Sequence, residues 1–284
     1  MQGDGVPHRI LGNGVKLRAA VIGGGLMGQG IASVLSAGGC DVRVFDSDPN
    51  VLRTADTIRA AAADTDWVIE SIAEALHPKL AVLAEIERHA PADAVISSNT
   101  STFMPSTLNT ALAKPERFLN THFFRPADAV PLVEVIPSRA TEPSVASRVH
   151  SWLTELGKRP ITLGQEMPGF VANRLQAAIL REAIHLLDSG VASVEEIDAV
   201  VEHSIGKRWS VAGPFMIADL GGLDVFRAVC ANVFPSLSNT PDVPETLDRM
   251  VNEGRLGAKS GDGFYRDPSE WTAAADRINV QFRR

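Results

Sequence analysis

A short apolar run, Ala19-Ala20-Val21-Ile22, stops abruptly at Gly23-Gly24-Gly25, and a helical pattern then continues to the pair Gly38-Gly39. A strand that ends in glycines and re-enters as a helix is the first half of a strand–helix–strand crossover, which commits the chain to a parallel sheet. Within it, Gly23-x-Gly25-x-x-Gly28 has the spacing of a phosphate-binding turn. Gly23 serves the tight turn, Gly25 lets backbone approach a pyrophosphate, and Gly28 permits close helix-to-strand packing. The helix N-terminus offers free N–H groups and a positive dipole end to the anion, with Leu26 and Met27 completing the turn beside it. Met27, like Met167, also reads simply as a packing residue. Asp46 ends the next strand, where a carboxylate accepts hydrogen bonds from an adenosine ribose and repels a 2′-phosphate, so NAD is the expected dinucleotide rather than NADP.

The alternation continues. Val42, Val44 and Phe45 form a second strand, and Asp48-Pro49 is a good helix start because Asp caps free N–H groups and Pro loses no needed donor at the first helical position. The Ala-rich stretch from there to Ala63 is the expected crossover helix. Trp67-Val68-Ile69, the helix Lys79 to His89, and Ala94 to Ser97 follow. This is an α/β, doubly wound pattern, and it occupies residues 16–165. From Pro168 the pattern changes to long amphipathic segments, Phe170 to Leu187 and Val194 to His203, with Ser193 and Glu196 at capping-box spacing. Residues 166–284 are therefore expected to form a second, mainly helical domain.

Composition excludes several classes. Lys and Arg number 27 against 34 Asp and Glu, a net charge of -7, so neither nucleic acid nor an anionic membrane is an expected partner. Cys40 and Cys230 supply neither a disulfide framework nor a four-ligand zinc site, which fits a reducing cytoplasm. The histidines, His8, His77, His89, His122, His150, His185 and His203, show no metal-ligand spacing, and no metal is expected. Met1 to Arg18 has no apolar core of a signal peptide, and no apolar run is long enough to span a bilayer. Gly254-Arg-Leu-Gly-Ala-Lys259-Ser260 imitates a P-loop ending, but Ala258 stands where a Gly must precede the Lys and no strand leads into it.

Two ionisable groups interrupt apolar runs: His122 in Thr121-His-Phe-Phe124 and Glu134 in Pro131-Leu-Val-Glu-Val-Ile136. Singly, they read as a satisfied core histidine and a strand-end charge. The intervening linker, with Arg125, Pro126 and Pro131, lets the chain reverse so that the two side chains can meet. A histidine oriented by a carboxylate is the arrangement of a general base, because the acid fixes the tautomer and stabilises the imidazolium.

From about Lys16 to Tyr265 the sequence resembles the L-3-hydroxyacyl-CoA dehydrogenase family. The resemblance rests on the Gly23 to Gly28 turn, Ser98-Asn99-Thr100-Ser101, His122-Phe-Phe with Glu134, Pro168-Gly-Phe-Val-Ala-Asn173-Arg174, and Gly257-x-Lys-Ser-Gly-x-Gly-Phe-Tyr265. It implies a Rossmann-like N-terminal domain and a helical C-terminal domain that forms a homodimer. It also implies that His122 is the catalytic base, Glu134 its partner, and Ser101 and Asn173 the groups around the substrate oxygen. Glu74, Lys79 and Asn99 match positions that contact the cofactor in that family. The implied reaction is oxidation of a 3-hydroxyacyl thioester, with hydride passing to NAD.

Two departures bear on the substrate. Members that use coenzyme A carry a helical hairpin after the second strand, whereas here only residues 47–65 separate Asp46 from Asp66, enough for one crossover helix. Arg125 stands where Asn normally follows His-Phe-Phe; it can hold an anionic part of the substrate or be a solvated linker residue. Without the hairpin, an acyl group tethered to an acyl carrier protein, such as a glyceryl-type extender unit in polyketide biosynthesis, is expected in preference to a free CoA thioester. Lys207-Arg208 with His203 is a candidate basic patch for the acidic carrier, or merely a solvated helix end. A 3-hydroxyisobutyrate type of enzyme would need a lysine base, and Gly164 to Leu187 contains none. A non-catalytic NAD-binding or redox-sensing protein would be expected to have a broken catalytic set.

Overall fold

The computed structural model describes residues 16–282. The reading of the amino terminus, His8 included, falls largely on residues 1–15, outside the described ones. Two compact units divide the chain, one running through Asn173 and joined by the stretch from Ile278, the other Arg174–Arg277.

The first unit is built on a seven-stranded sheet: β1 (Arg18–Ile22), β2 (Asp41–Phe45), β3 (Trp67–Glu70), β4 (Val95–Ser98), β5 (Phe118–Phe123), β6 (Leu132–Pro137) and β7 (Arg159–Thr162), in the order β2-β1-β3-β4-β5-β6-β7. β1 to β5 pair in parallel, β6 runs antiparallel to β5, and β7 is parallel to β6. Its helices are α1 (Leu26–Ala37), α2 (Ile58–Ala62), α3 (Leu76–His89), α4 (Pro105–Leu108) and α5 (Pro143–Glu155).

Side-chain alternation explains why the sheet is covered on both faces. Ala19, Val21, Trp67 and Ile69 point to one side and pack with Ile31 and Leu35 of α1 and Val149 and Leu153 of α5. Ala20, Ile22 and Val68 point to the other and pack with Ala61 of α2 and Leu83 and Ile86 of α3. Buried polar side chains bridge strands inside these layers: Trp67 Nε1 donates to Ser97 Oγ at 2.9 Å, and Thr121 Oγ1 donates to the same oxygen at 3.0 Å. Gly39, at φ +86°, takes the left-handed turn that ends α1. The strand order reverses at β1, whose successive crossovers lead to β2 and β3 on its two sides, and such a switch point opens a crevice at the carboxyl ends of the strands.

The expected crossover helix from Asp48-Pro49 to Ala63 is mostly absent. Asp48 spends its carboxylate on a tight turn, accepting from the N–H and side-chain amide of Asn50, both at 2.9 Å. The chain then runs back along the outer edge of β2, where Thr54 and Ala55 N–H donate to Val44 O and Val44 N–H donates to Thr54 Oγ1. Helix begins only at Ile58, capped by Thr57 Oγ1 accepting from Ala60 N–H at 3.0 Å. Local side-chain bonding and edge protection defeated the alanine propensity.

The second unit is helical: the greater part of α6 (Ala172–Asp188), α7 (Val194–Val200), α8 (Gly206–Trp209), α9 (Pro214–Gly221), α10 (Leu223–Val233), α11 (Glu245–Asn252) and most of α12 (Pro268–Phe282). α6 starts two residues later than its apolar pattern suggests, because Gly169 and Phe170 both take positive φ and turn the chain first. The capping box is formed, with Glu196 N–H on Ser193 Oγ at 3.2 Å and Ser193 N–H on Glu196 Oε2 at 2.8 Å. Beyond Val200 the helix widens to a π turn, Val201–Ile205, so the segment that contains His203 is not regular α-helix. The P-loop-like stretch is a turn, Leu256 N–H donating to Ser260 Oγ at 2.7 Å. Among the described residues no helix is long and apolar enough to cross a membrane, and no cluster of three or more His, Cys, Asp or Glu is placed to hold a metal ion.

Candidate active site

At the carboxyl end of β1 the three glycines have three different surroundings. Gly23 has φ +104°, and a Cβ there would lie 2.5 Å from Ser71 O. A Cβ on Gly28 would lie 1.8 Å from Gly23 O, so this glycine is what lets α1 press against the turn. A Cβ on Gly25 would meet nothing within 4 Å: its bareness serves no packing purpose, and it stands at the N-cap of α1 beside the free N–H groups. Gly23, Gly25, Asp46, Ser71 and Ile72 line a groove of about 720 Å³. An open glycine at a helix N-terminus above such a groove fits a pyrophosphate. Leu26 is exposed and Met27 half-buried, the latter packed on the core as its alternative reading had it. Asp46 accepts Gly24 N–H at 2.6 Å and Asp48 N–H at 2.8 Å, so it also shapes the turn, and a carboxylate has lone pairs left for ribose hydroxyls.

His122 and Glu134 are register partners directly across the antiparallel pair β5 and β6, and so share one face. His122 Nδ1 and Glu134 Oε2 are 2.9 Å apart, and both residues are buried. The other carboxylate oxygen accepts the N–H groups of Val171 (3.0 Å) and Ala172 (2.9 Å) at the start of α6. Burial pushes the Glu134 carboxyl up, but the bonds from His122, Ala172 and Val171 outweigh it and hold it below the usual carboxylate range. The imidazole is walled by Phe124 and Phe170, with ring centroids 4.4 and 5.5 Å away. Since the carboxylate is acceptor-only, Nδ1 carries a proton toward it and Nε2 is left to accept one.

The loop after β4 lies against the strand of His122. Asn99 Oδ1 accepts Phe123 N–H at 2.9 Å, Asn120 Nδ2 donates to Phe103 O at 2.9 Å, and Asn173 Nδ2 donates to Ser101 O at 3.3 Å. Ser101 and Asn173 are thereby brought together, and the loop that carries Ser101 is tied to β5 on either side of His122. Glu74 Oε1 accepts the N–H groups of Ser101 and Thr102 at 3.0 Å and the hydroxyls of Thr100 (2.5 Å) and Thr102 (2.8 Å). Lys79 is fully buried, its Nζ 2.8 Å from Glu70 Oε1 and 3.3 Å from Glu74 Oε2. Arg125 is exposed just beyond the end of β5.

Glu70 and the α6 N–H groups escaped the sequence reading. Glu70 closes the apolar run Trp67-Val-Ile-Glu as Asp46 closes its own strand, and that parallel was a usable signal. The N–H groups of Val171 and Ala172 carry none, because backbone has no residue type.

The chain matches the family description "3-hydroxyacyl-CoA dehydrogenase, NAD binding domain" over residues 18–58 and 51–167, the match breaking in the short segment between β2 and β3. It matches "3-hydroxyacyl-CoA dehydrogenase, C-terminal domain" over residues 169–267. It is 30% identical to a 5-formyl-3-hydroxy-2-methylpyridine 4-carboxylate 5-dehydrogenase of Mesorhizobium japonicum, covering 90% of this chain and 92% of that one. An L-carnitine dehydrogenase of Oceanobacillus iheyensis is 34% identical, over 84% of this chain and 89% of its own. The crystal structure of a 5-formyl-3-hydroxy-2-methylpyridine 4-carboxylic acid 5-dehydrogenase, described as an NAD+-dependent dismutase, superposes with a TM-score of 0.90 at 28% identity, covering 94% of this chain and 96% of that one. A doubly wound sheet with a glycine turn at the carboxyl end of β1, and matches to both domain descriptions, make this chain an NAD-dependent member of the 3-hydroxyacyl-CoA dehydrogenase family.

Proposed function

We propose that this protein oxidises the hydroxyl of a 3-hydroxy acid or 3-hydroxyacyl group to the ketone, with His122 as general base. The observation that carries the reading is the buried His122–Glu134 pair on the sheet whose carboxyl edge also holds the glycine turn. His122 Nε2 takes the hydroxyl proton, and ionised Glu134, anchored by two α6 N–H groups, stabilises the imidazolium that results. Bound NAD supplies the acceptor carbon for the hydride. Gly25 and Asp46 would hold its pyrophosphate and ribose, and Asn99 would meet its nicotinamide end. Ser101 and Asn173 hold the substrate oxygen as it becomes a carbonyl. In the reverse direction His122 returns the proton.

On the substrate, the short segment between β2 and β3 argues against the nucleotide of free coenzyme A. The relatives cited above are named for L-carnitine and for a pyridine carboxylate, neither of them a thioester. A small free hydroxy acid is therefore the favoured substrate class, with exposed Arg125 available to its carboxylate. The same short segment favours a second reading, an acyl group on an acyl carrier protein, whose pantetheine arm needs no nucleotide site. The homodimer is supported by the second unit, where Val211, Phe215, Leu220 and Leu223 are 85%, 88%, 75% and 63% exposed, an apolar surface suited to a partner.

The test is NADH formation with one 3-hydroxyacyl group offered as free acid, as CoA thioester and on a phosphopantetheinylated carrier protein, with His122→Gln alongside. Loss of turnover in His122→Gln by a factor on the order of 10²–10⁴ is expected. Near-full turnover in that variant removes the base assignment, and best turnover on CoA removes the argument from the short segment.

A further inference from the structure

We propose that Lys158, buried beneath the linker between β5 and β6, is a positioning residue: it holds the turn that places Arg125, and through Arg125 it governs affinity for the carboxylate of a small hydroxy acid. The inference rests on the reading of Arg125 given above. Residues 124–131 join the two strands of the dyad and form neither helix nor strand, so their shape depends on what holds them. The upstream end is fastened at the site itself, with Phe123 N–H on Asn99 Oδ1 at 2.9 Å and the Phe124 ring centroid 4.4 Å from that of His122. Arg125 comes next and is exposed. Directly after it, Pro126 O accepts the N–H groups of Ala129 at 3.2 Å and Val130 at 2.9 Å, which closes residues 126–130 into one turn. Arg125 therefore stands between a fixed ring and a turn, and where the turn sits decides where its side chain starts.

Lys158 secures that turn from inside the protein. Its Nζ donates to Ala127 O at 2.5 Å and to Val130 O at 2.8 Å, and the residue is 6% exposed. Ala127 and Val130 are themselves buried and lie outside the strands, so their carbonyls are not met by the sheet ladder. A buried carbonyl without a donor is costly and a buried ammonium without acceptors more so, and each here needs the other. Burial pushes the Lys158 ammonium below the ordinary lysine pKa, with the Asp128 carboxylate opposing. The lysine's own place is set by the fold. Gly157, at φ +81°, turns the chain out of α5, Lys158 N–H donates to Leu153 O at 2.9 Å, and Arg159 N–H at the start of β7 donates to Pro131 O at 2.8 Å. The methyl of Ala127 packs against α1, where a Cβ on Gly30 would lie 3.0 Å from it. The turn is thus held by two unlike contacts, a bare glycine of α1 and the ammonium of Lys158.

The experiment uses the full chain with Lys158→Met, Arg125→Ala, the double variant Lys158→Met/Arg125→Ala, and Gly30→Ala. It reads kcat and KM for L-3-hydroxybutyrate and for its uncharged primary amide, and the Kd for NADH by fluorescence titration. Methionine keeps an unbranched stem in the lysine's place and removes its donors. Lys158→Met is expected to raise KM for the acid about tenfold, the order of a lost charge-assisted bond, while kcat, the NADH Kd and the kinetics of the amide stay within about twofold of the parent. The double variant is then no worse than Arg125→Ala, because Lys158 acts through Arg125. A lysine that only supports the fold would lower activity on acid and amide alike, and that result overturns the proposal, as do multiplicative losses in the double variant. Should Lys158→Met not fold, Gly30→Ala presses on the same turn from α1 without cost to the helix, and a smaller rise in KM is expected for the acid alone. An unchanged KM there also defeats the proposal. Failure of the underlying reading is separate: it shows as a KM for the acid that Arg125→Ala does not move, or as no turnover of the acid by the parent, and it removes the proposal with it.

Discussion

The two sides of the site are built on opposite principles. The glycine turn is defined by what it lacks: at Gly25 there is open space, at Gly28 there is no room for a carbon, and what it offers a ligand is backbone N–H at the head of α1. The side proposed for acid–base chemistry depends on what it holds, a buried histidine and carboxylate facing each other across one strand pair, and beside it a lysine between two glutamates. Backbone donors at a helix N-terminus are positioned by the fold itself and cost nothing to keep dry. Buried charges are costly unless their lone pairs are met, and here Glu134 is met by two backbone N–H groups as well as by His122. The turn is therefore tolerant of everything except added bulk, and the dyad is tolerant of almost nothing.

The largest effect tests the dyad. Glu134→Ala leaves His122 without its partner and two α6 N–H groups unpaired, and kcat is expected to fall by a factor on the order of 10²–10⁴. Glu134→Gln keeps an acceptor for the N–H groups but not the charge. It should retain the fold and lose most of the rate, which steady-state kinetics beside thermal melting will separate. The sign of the pH effect follows from the carboxyl's depressed position. Its contribution to stability is complete above the ordinary carboxylate pKa and is lost as pH falls through the lower folded value, so the wild-type melting temperature should drop on acidification below about pH 4.5 more steeply than that of Glu134→Gln. Equal acid slopes for the two proteins would mean the pair contributes nothing to the folded state.

The next effect breaks the comparison from the other side. Gly28→Ala forces a carbon against Gly23 O and is expected to destabilise the unit by about 1–3 kcal/mol, read as a lower denaturant midpoint. Gly25→Ala meets no atom of the protein, so its melting temperature should match the parent while its affinity for NADH drops about tenfold or more. If Gly25→Ala binds NADH normally, the open glycine is not where the pyrophosphate lies.

This contrast also explains what could be read in the sequence. The turn of Gly23, Gly25 and Gly28 was legible because a turn built from backbone leaves its mark as missing side chains at fixed spacing, and Asp46 was legible as the acid that closes the next strand. His122 and Glu134 were legible as polar breaks in apolar strands, but their register across β5 and β6 was not, since it depends on strand pairing. The burial of Lys79 was not legible for a similar reason: Leu76–His89 looks amphipathic, and only the sheet decides that the Lys79 side faces inward, toward Glu70. The helix expected from Asp48 failed because alanine content is a weak prior against an aspartate that can close its own turn and an edge strand that needs covering.

The smallest effect asks whether the two halves of the chain can be perturbed separately. Ser193→Ala removes the acceptor for Glu196 N–H at the head of α7 and should cost about 1 kcal/mol, a shift of a few degrees in melting temperature. None of the groups proposed for chemistry or for NAD touches Ser193, so kcat and NADH affinity should match the parent well below the melting transition. Because the second unit exposes Phe215 and Val211 so fully, the loss should be larger at low protein concentration if a second copy covers that surface, and independent of concentration if none does. A change in NADH affinity in Ser193→Ala would mean that strain in the helical unit reaches the glycine turn, and the division of labour argued above would have to be given up.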